Sequence, residues 1–335
     1  MMICSPLLSL ASAFCKRQAT CLSTRIVACI FLLFLGLPGP IYAQDDEDLM
    51  IVFWNIENCF DHKAENGGKE WSPEGEKRWS AKRFYNKCNA IGKTLLWIEQ
   101  EQGQKPDFVA LAEVENRAVV KAIVHSPVLR KQGYSFVHFD SPDARGIDVA
   151  LLYNTRRFPR QPQVRLIGIE EFRTRDILSC RFCLPDGDSL TLIVNHHPSK
   201  LGGEKKSRHK RECVMTYLRK ECLRTGNNTV AVGDFNDTAN GAAFRLLEDI
   251  MRWVAPQGGQ ETGSIKFRGK WELIDLFWVS PDLYHHCESA IVYAPFLLCP
   301  DKKYAGEKPL RTYSGPRYLG GVSDHLPIIL KISRD

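Results

Sequence analysis

Five places along this chain share one pattern: an apolar run that delivers a carboxylate, a carboxamide or an imidazole at its end. They are Asn55 with Glu57, Glu113, His196, Asp234 with Asn236, and Asp324 with His325. The sharpest lies in Thr229–Asp237, TVAVGDFND. Thr229, Val230 and Val232 read as a buried strand that Gly233 breaks, and Asp234 and Asn236 follow two residues apart. Such residues at a strand end project the same way, so a carboxylate and a carboxamide face one small volume. An ordinary strand-to-turn exit also favours Gly, Asp and Asn, and each of the five places has some such mundane explanation. Brought together, they supply oxygen ligands for a hard divalent cation, histidines for phosphate and an Asp to activate water.

Strands and helices are interspersed throughout. Leu49–Trp54 reads as the first strand and Asp61–Glu76 as a charged, Gly-rich loop. From Ser80 the positions Phe84, Cys88, Ile91, Leu95 and Ile98 step by four and three, an amphipathic helix that stops near Gly103. Asp107–Ala112 reads as a buried strand, Ala118–Val124 as a short helix, and Tyr134–Phe139 and Val149–Tyr153 as strands. Ile177–Cys183 and Leu190–Asn195 form a hairpin around Pro185–Asp188. The basic run Lys200–Arg211 leads into a helix through Val214 and Leu218. Ala242–Met251 is expected to be helical, Trp271–Val279 and Ser289–Tyr293 strands, Lys302–Tyr318 a long polar loop, and Ile328–Ile332 the last strand. No internal repeat and no linker interrupts residues 44–335, which argues for one α/β domain.

Residues 1–43 differ from the rest. Lys16, Arg17 and Arg25 precede the apolar run Ile26–Leu37, and Ile41-Tyr42-Ala43 ends in a small residue before an acidic stretch. The pattern is that of a secretory signal peptide cleaved after Ala43. The run falls short of the roughly 20 residues a membrane span needs, so no stable membrane anchor is expected. Removing three leader cations from a formal charge of +6 leaves about +3, too little to argue for nucleic acid by itself. Eight cysteines remain, and export predicts at least one disulfide among them. Cys180-x-x-Cys183 has no second metal-binding pair and sits in a strand-like run, so it reads as structural.

In order, the segments FWNIEN (Phe53–Asn58), DFVALAEVEN (Asp107–Asn116), VNHHPS (Val194–Ser199), GDFND (Gly233–Asp237), LIDLFWVS (Leu273–Ser280) and GVSDHLPI (Gly321–Ile328) span nearly the whole mature chain. This ordered set resembles the endonuclease/exonuclease/phosphatase superfamily. The resemblance implies an α/β four-layer sandwich, two packed mixed β-sheets flanked by helices, with the site at one sheet edge. It makes Asn55, Glu113 and Asp324 the metal set with Glu57 in support, and the ion Mg²⁺, with Mn²⁺ or Ca²⁺ as alternatives. It makes Asp234 the residue that orients or deprotonates water, Asn236 a phosphate-contacting amide, and His325 a phosphate-binding histidine polarised by Asp275. His196 takes the place of a second catalytic histidine, with His197 as its flank, and Arg145 (in ARGID, Ala144–Asp148) and Arg311 are phosphate-binding candidates by analogy. The expected activity is hydrolysis of a phosphoester by a monomeric, exported nuclease or phosphodiesterase. DNA or RNA is favoured as substrate by the basic run and the cationic loop before Ser323. A small-molecule or lipid-headgroup phosphoesterase is the alternative, and a non-catalytic binding module the third reading.

Overall fold

Strands buried on both faces set the architecture. The computed structural model describes residues 48–63, 69–200, 203–257 and 263–334; the leader expected over residues 1–43 lies outside them. In β1 (Leu49–Cys59), Leu49, Ile51 and Phe53 enter one apolar core while Met50, Val52 and Trp54 enter another. β2 (Phe108–Val114) divides the same way, Phe108 and Ala110 from Val109 and Leu111. Successive side chains of a strand point to opposite faces, so each sheet can be covered twice. On one side, α1 (Ala81–Gln102) supplies the expected stripe of Phe84, Cys88, Ile91, Leu95 and Ile98 to the outer core, and α2 (Arg117–Val124) adds Val119, Val120 and Ile123.

The chain continues through β3 (Tyr134–His138), β4 (Asp148–Asn154), β5 (Gln163–Ile167), β6 (Ile177–Cys183), β7 (Ser189–His196), α3 (Glu204–Thr225) and β8 (Thr229–Asp234). It ends with β9 (Arg252–Trp253), β10 (Asp275–Val279), β11 (Cys287–Ile291) and β12 (Ile328–Ile332). Among the described residues these form two six-stranded sheets, in the orders β11-β12-β1-β2-β4-β3 and β5-β6-β7-β8-β10-β9. Val230, Val232, Phe277 and Val279 meet the first sheet in the middle core, while Ala231, Leu276 and Trp278 face Val214, Met215 and Leu218 of α3. Three apolar cores thus separate four layers: helix, sheet, sheet, helix. That is the expected α/β sandwich.

Each sheet has one parallel pair at its centre, β1 with β2 and β7 with β8, and antiparallel neighbours elsewhere. A parallel pair needs a crossover, and α1 and α3 provide the two. The carboxyl ends of four parallel strands therefore open toward one region, where open α/β sheets place their ligands. Gly233 makes the second pair possible: a Cβ there would lie 2.0 Å from the Asn195 carbonyl oxygen of β7.

Several elements depart from the sequence reading. β1 runs on to Cys59 through an irregularity after Asn55, because β2 continues to pair with it. β5 is exposed at almost every position, and the alternation of Gln163, Val164, Arg165 and Leu166, too short to stand out, is its one signal in the sequence. The helix expected over Ala242–Met251 is a 3₁₀ turn, Ala242–Leu246, since only Ala243 and Phe244 within it bury. Trp271–Val279 is two strands: Lys270–Glu272 pairs with Ile265–Phe267 in a hairpin, and β10 joins the second sheet. The loop Lys302–Tyr318 contains the short strands Glu307–Pro309, Tyr313–Ser314 and Arg317–Tyr318, with Tyr313 buried. All eight cysteines of the described residues are free, against the expected disulfide. Cys180 is buried and Cys183 exposed, as a three-residue step along a strand requires, so the two do not converge.

Candidate active site

Four non-glycine residues at these strand ends hold a left-handed backbone: Glu57 (φ 46°), Asn58 (φ 44°), Glu113 (φ 65°) and Asn236 (φ 51°). Such conformations cost about 1–3 kcal/mol each and persist where surrounding bonds over-determine them. Here they do. Glu57 N donates to Asn55 Oδ1 at 3.0 Å, Asn58 N to Glu113 Oε2 at 2.6 Å, and Asn236 N to Asp234 Oδ1 at 2.8 Å. The turns are stitched to the side chains they present.

Asp234, 2% exposed, is where the two sheets meet. Asn55 Nδ2 donates to its Oδ2 at 3.0 Å, and the same oxygen lies 3.5 Å from His196 Nε2 and 3.9 Å from His325 Nε2. Burial, then the neighbouring charge of Asp275, pushes the Asp234 carboxyl up to about 7. His325 Nδ1 is 2.7 Å from Asp275 Oδ2, and both side chains are buried. Burial pulls the imidazole down, but the charge and hydrogen bond of Asp275, with Asp234 and Asp324, outweigh it and hold His325 well above its usual value. His196 goes the other way: burial, then Arg175 and Arg145, keep it well below the ordinary range and so neutral. One imidazolium and one neutral imidazole flank the same carboxylate.

The second group is made of oxygen donors. Glu57 Oε1 accepts from Arg311 Nε at 3.0 Å and Nη2 at 2.8 Å, and its Oε2 from Thr312 N at 2.8 Å. Arg311 Nη2 also reaches Asp324 Oδ2 at 2.8 Å. Arg145 Nη2 lies 3.3 Å from Glu113 Oε2 and donates to Asn58 Oδ1 at 2.6 Å. Burial alone would raise Glu113; the Arg145 charge and the Asn58 N–H bring it below the usual carboxylate range. Glu57 is raised by burial and by Asp324, despite Lys87 and Arg311. An all-oxygen set of Asn55, Glu57, Glu113 and Asp324 fits a hard divalent cation and suits a soft one poorly. Two guanidiniums now stand on its carboxylates, the charge a cation would balance.

The structure thus brings Asp234, His325, His196, Asn236 and Asp275 together, and gathers Asn55, Glu113 and Asp324 beside them. Arg145 and Arg311, expected on phosphate, are engaged with carboxylates. Asn236 Nδ2 donates to the His197 carbonyl at 2.9 Å, and the His197 ring packs 4.9 Å from Phe235, a core position. Within the basic run, Arg208 pairs with Glu212 at 2.8 Å, Lys200 with Asp237 at 3.3 Å, and Arg211 is 1% exposed, while the side chains of Lys205 and Lys206 lie outside the described ones.

Sequence reasoning missed three supports. Arg175 is buried and donates to the carbonyls of His196 (3.2 Å) and His197 (2.7 Å) and to Asp143 (2.9 Å). Lys87, buried on α1, donates to the Glu57 carbonyl and, at 2.8 Å, to Thr312 Oγ1. Ser323 Oγ donates to the Asn55 carbonyl at 2.6 Å and accepts from His325 N at 3.0 Å. Lys87 neighbours Cys88 on an otherwise apolar face, a signal that was available; Arg175 carried none.

Acids and imidazoles gathered at the strand ends of a four-layer sandwich define a metal-dependent hydrolase of phosphoric esters. The chain belongs to the Endonuclease/Exonuclease/phosphatase family, which it matches over residues 50–334. No curated protein matches it at a significant level. Similar solved structures include a Staphylococcus aureus beta toxin with bound magnesium ions (14% identity, TM-score 0.56, covering 86% of this chain and 100% of that one). Others are the Bacteroides thetaiotaomicron mannosyl-6-phosphatase (13%, 0.54, 84% and 98%) and the human Nocturnin catalytic domain with bound sulfate (15%, 0.53, 86% and 94%). At these identities the likeness is one of fold.

Proposed function

We propose that the chain is an exported, Mg²⁺-dependent hydrolase in which Asp234 accepts a proton from the water that attacks a phosphoester in line. The observation that carries this reading is the setting of Asp234. It is a buried carboxyl near pKa 7, with an imidazolium, a neutral imidazole and two amides aimed at its oxygens or beside them. A general base works best when its pKa lies near the working pH. His325, kept charged by Asp275, and the Asn236 amide stabilise negative charge on the phosphoryl oxygens, an interaction strongest in the transition state. His196 stays neutral and orients Asp234. Asn55, Glu57, Glu113 and Asp324 would hold the cation, which when bound offsets charge on the phosphate and the leaving oxygen. Export rests on the pattern of residues 1–43; a mature chain that begins elsewhere than near Gln44 would count against it.

We favour a small phosphoester as substrate, because within the basic run Arg208 and Lys200 are paired with carboxylates, Lys210 lies over the Phe172 ring and Arg211 is buried, the side chains of Lys205 and Lys206 lying outside the described ones. A nucleic-acid substrate remains the second reading. It is favoured by the hairpin Ile265–Glu272, which touches His325 through an isolated bridge at Ile265 and exposes Phe267 beneath Arg268. Turnover with Mg²⁺ on sugar phosphates, an artificial phosphodiester, supercoiled plasmid, RNA and sphingomyelin separates the two. Asp234→Asn should lower turnover on the best of them by about 10²–10⁴-fold while the chain stays folded. Near-wild-type turnover in the folded variant refutes the mechanism.

A further inference from the structure

Beside the carboxylate set lies a cavity of about 490 Å³, and hydrolysis as described uses only part of its lining. Glu57, Arg145 and Arg311 line it together with Lys77, Trp71 and Tyr313. Lys77 is not an ordinary surface lysine, since its side chain is only 14% exposed. Its Nζ donates to the Gly315 carbonyl at 2.9 Å and sits 5.4 Å from the centre of the Tyr313 ring and 5.9 Å from that of Trp71. The Tyr313 hydroxyl donates back to the Lys77 carbonyl at 2.8 Å, so ring and ammonium are fixed together. One carboxylate, that of half-exposed Glu70, meets Nζ at 3.2 Å. Holding a turn in place does not require the ammonium to share a cavity with two arginines.

We propose that this cavity binds a second phosphate of a small organic substrate whose scissile phosphoester lies at Asp234. The proposal rests on the hydrolytic reading above and names the substrate class. Pockets of roughly 300–1,000 Å³ take single small molecules, so this one suits a sugar or nucleoside bearing two phosphates. Guanidiniums grip oxyanions through paired donors, and an ammonium acts as a point charge. Arg145 and Arg311 now balance Glu113, Glu57 and Asp324. With those carboxylates engaged by a divalent cation, both guanidiniums have donors available to phosphate. Lys77, in the same cavity, then selects substrates with a second anion over those with one.

The test is binding rather than turnover, on the full chain carrying Asp234→Asn and with Mg²⁺ present. Calorimetry compares a hexose monophosphate with the corresponding hexose bisphosphate. The bisphosphate should bind at least about tenfold more tightly, the equivalent of one well-placed charge contact. Adding Lys77→Gln should remove most of that advantage, and Lys77→Arg should keep most of it. Adding Glu70→Gln, at an exposed position, should enlarge the advantage about two- to fivefold, because the competing carboxylate is gone. A merely structural lysine predicts no such gain. Equal affinities for the two sugars overturn the proposal, as does an advantage that neither Lys77→Gln nor Glu70→Gln moves. If Lys77→Gln melts early, the sign of the Glu70→Gln effect decides. Hydrolysis of simple phosphoesters without this preference sinks the subsite alone, whereas the preference in a chain that hydrolyses nothing sinks the hydrolytic reading alone.

Discussion

Replacing Asp275 by Asn alters charge without altering size, and the structure says what should follow. Asp275 Oδ2 meets His325 Nδ1 at 2.7 Å with both side chains buried, so the contact is a charge-assisted hydrogen bond. Such bonds are worth about 1.5–3 kcal/mol, and the Asn oxygen can still accept from Nδ1. At about 1.4 kcal/mol per decade, turnover should fall roughly 10- to 100-fold. The pH profile should move as well. Burial is the largest influence on His325 and pulls its pKa down; without Asp275 the opposing carboxylates include Asp234, 3.9 Å from Nε2, Asp324 and Glu113, each weaker than Asp275. The alkaline limb therefore shifts to lower pH. Asp275 also raises Asp234, second only to burial, so its loss lowers the acid limb too. Both limbs move in one direction. Stability follows the same sign: the pair's contribution is complete below the unfolded His value of about 6.5 and fades as pH rises through the raised folded value. The melting-point gap between wild type and Asp275→Asn is accordingly widest in acid. The assay is kcat against pH at saturating Mg²⁺, with thermal melts at each pH. Limbs that stay fixed, or losses from His325→Ala and Asp275→Asn that simply multiply, would refute the pairing, since residues acting as a unit are not additive.

Exhaustive EDTA should abolish turnover and Mg²⁺ restore it, because the donor set is all oxygen; activity surviving chelation would contradict this. Gly233→Ala would drive its Cβ to 2.0 Å from the Asn195 carbonyl, and with a backbone oxygen in the way the strands must part. Destabilisation of about 1–3 kcal/mol or more, with loss of turnover from a displaced Asp234, should show in melts and kinetics. His197, fully buried beside Phe235, is held down to about 3, by burial first and then Arg175 and Arg211. Its folded value lies below its unfolded one, so it stays neutral in the fold and its share of stability is lost as pH falls from about 6.5 toward 3. His197→Phe should flatten that acid limb in melts at pH 7 and pH 5; an unchanged slope would rule the residue out.

The sequence by itself determined one α/β domain and the catalytic vocabulary, while the four layers came with the family resemblance. The four-and-three stepping from Phe84 to Ile98 is a local property of the chain, and so is the apolar run that ends at Asp234. Such patterns survive translation into structure because helix and strand periods are set by backbone geometry. The pairing of Asp234 with His325, 91 positions away, needed the resemblance to other sequences to be suspected, and only tertiary structure gave it a distance. The same holds for what is made of charge. Arg145 and Arg311 are phosphate candidates in one dimension by analogy alone, and three dimensions add the carboxylates that each now balances. In the basic run, only the fold sets Arg208 against Glu212, Lys200 against Asp237 and Arg211 in the protein interior. Arg175, Lys87 and Ser323 bind backbone carbonyls that only the fold brings near them. Periodicity is written in neighbours along the chain. Charge compensation and the raising of Asp234 depend on groups far apart in sequence and on burial, and no local pattern records either.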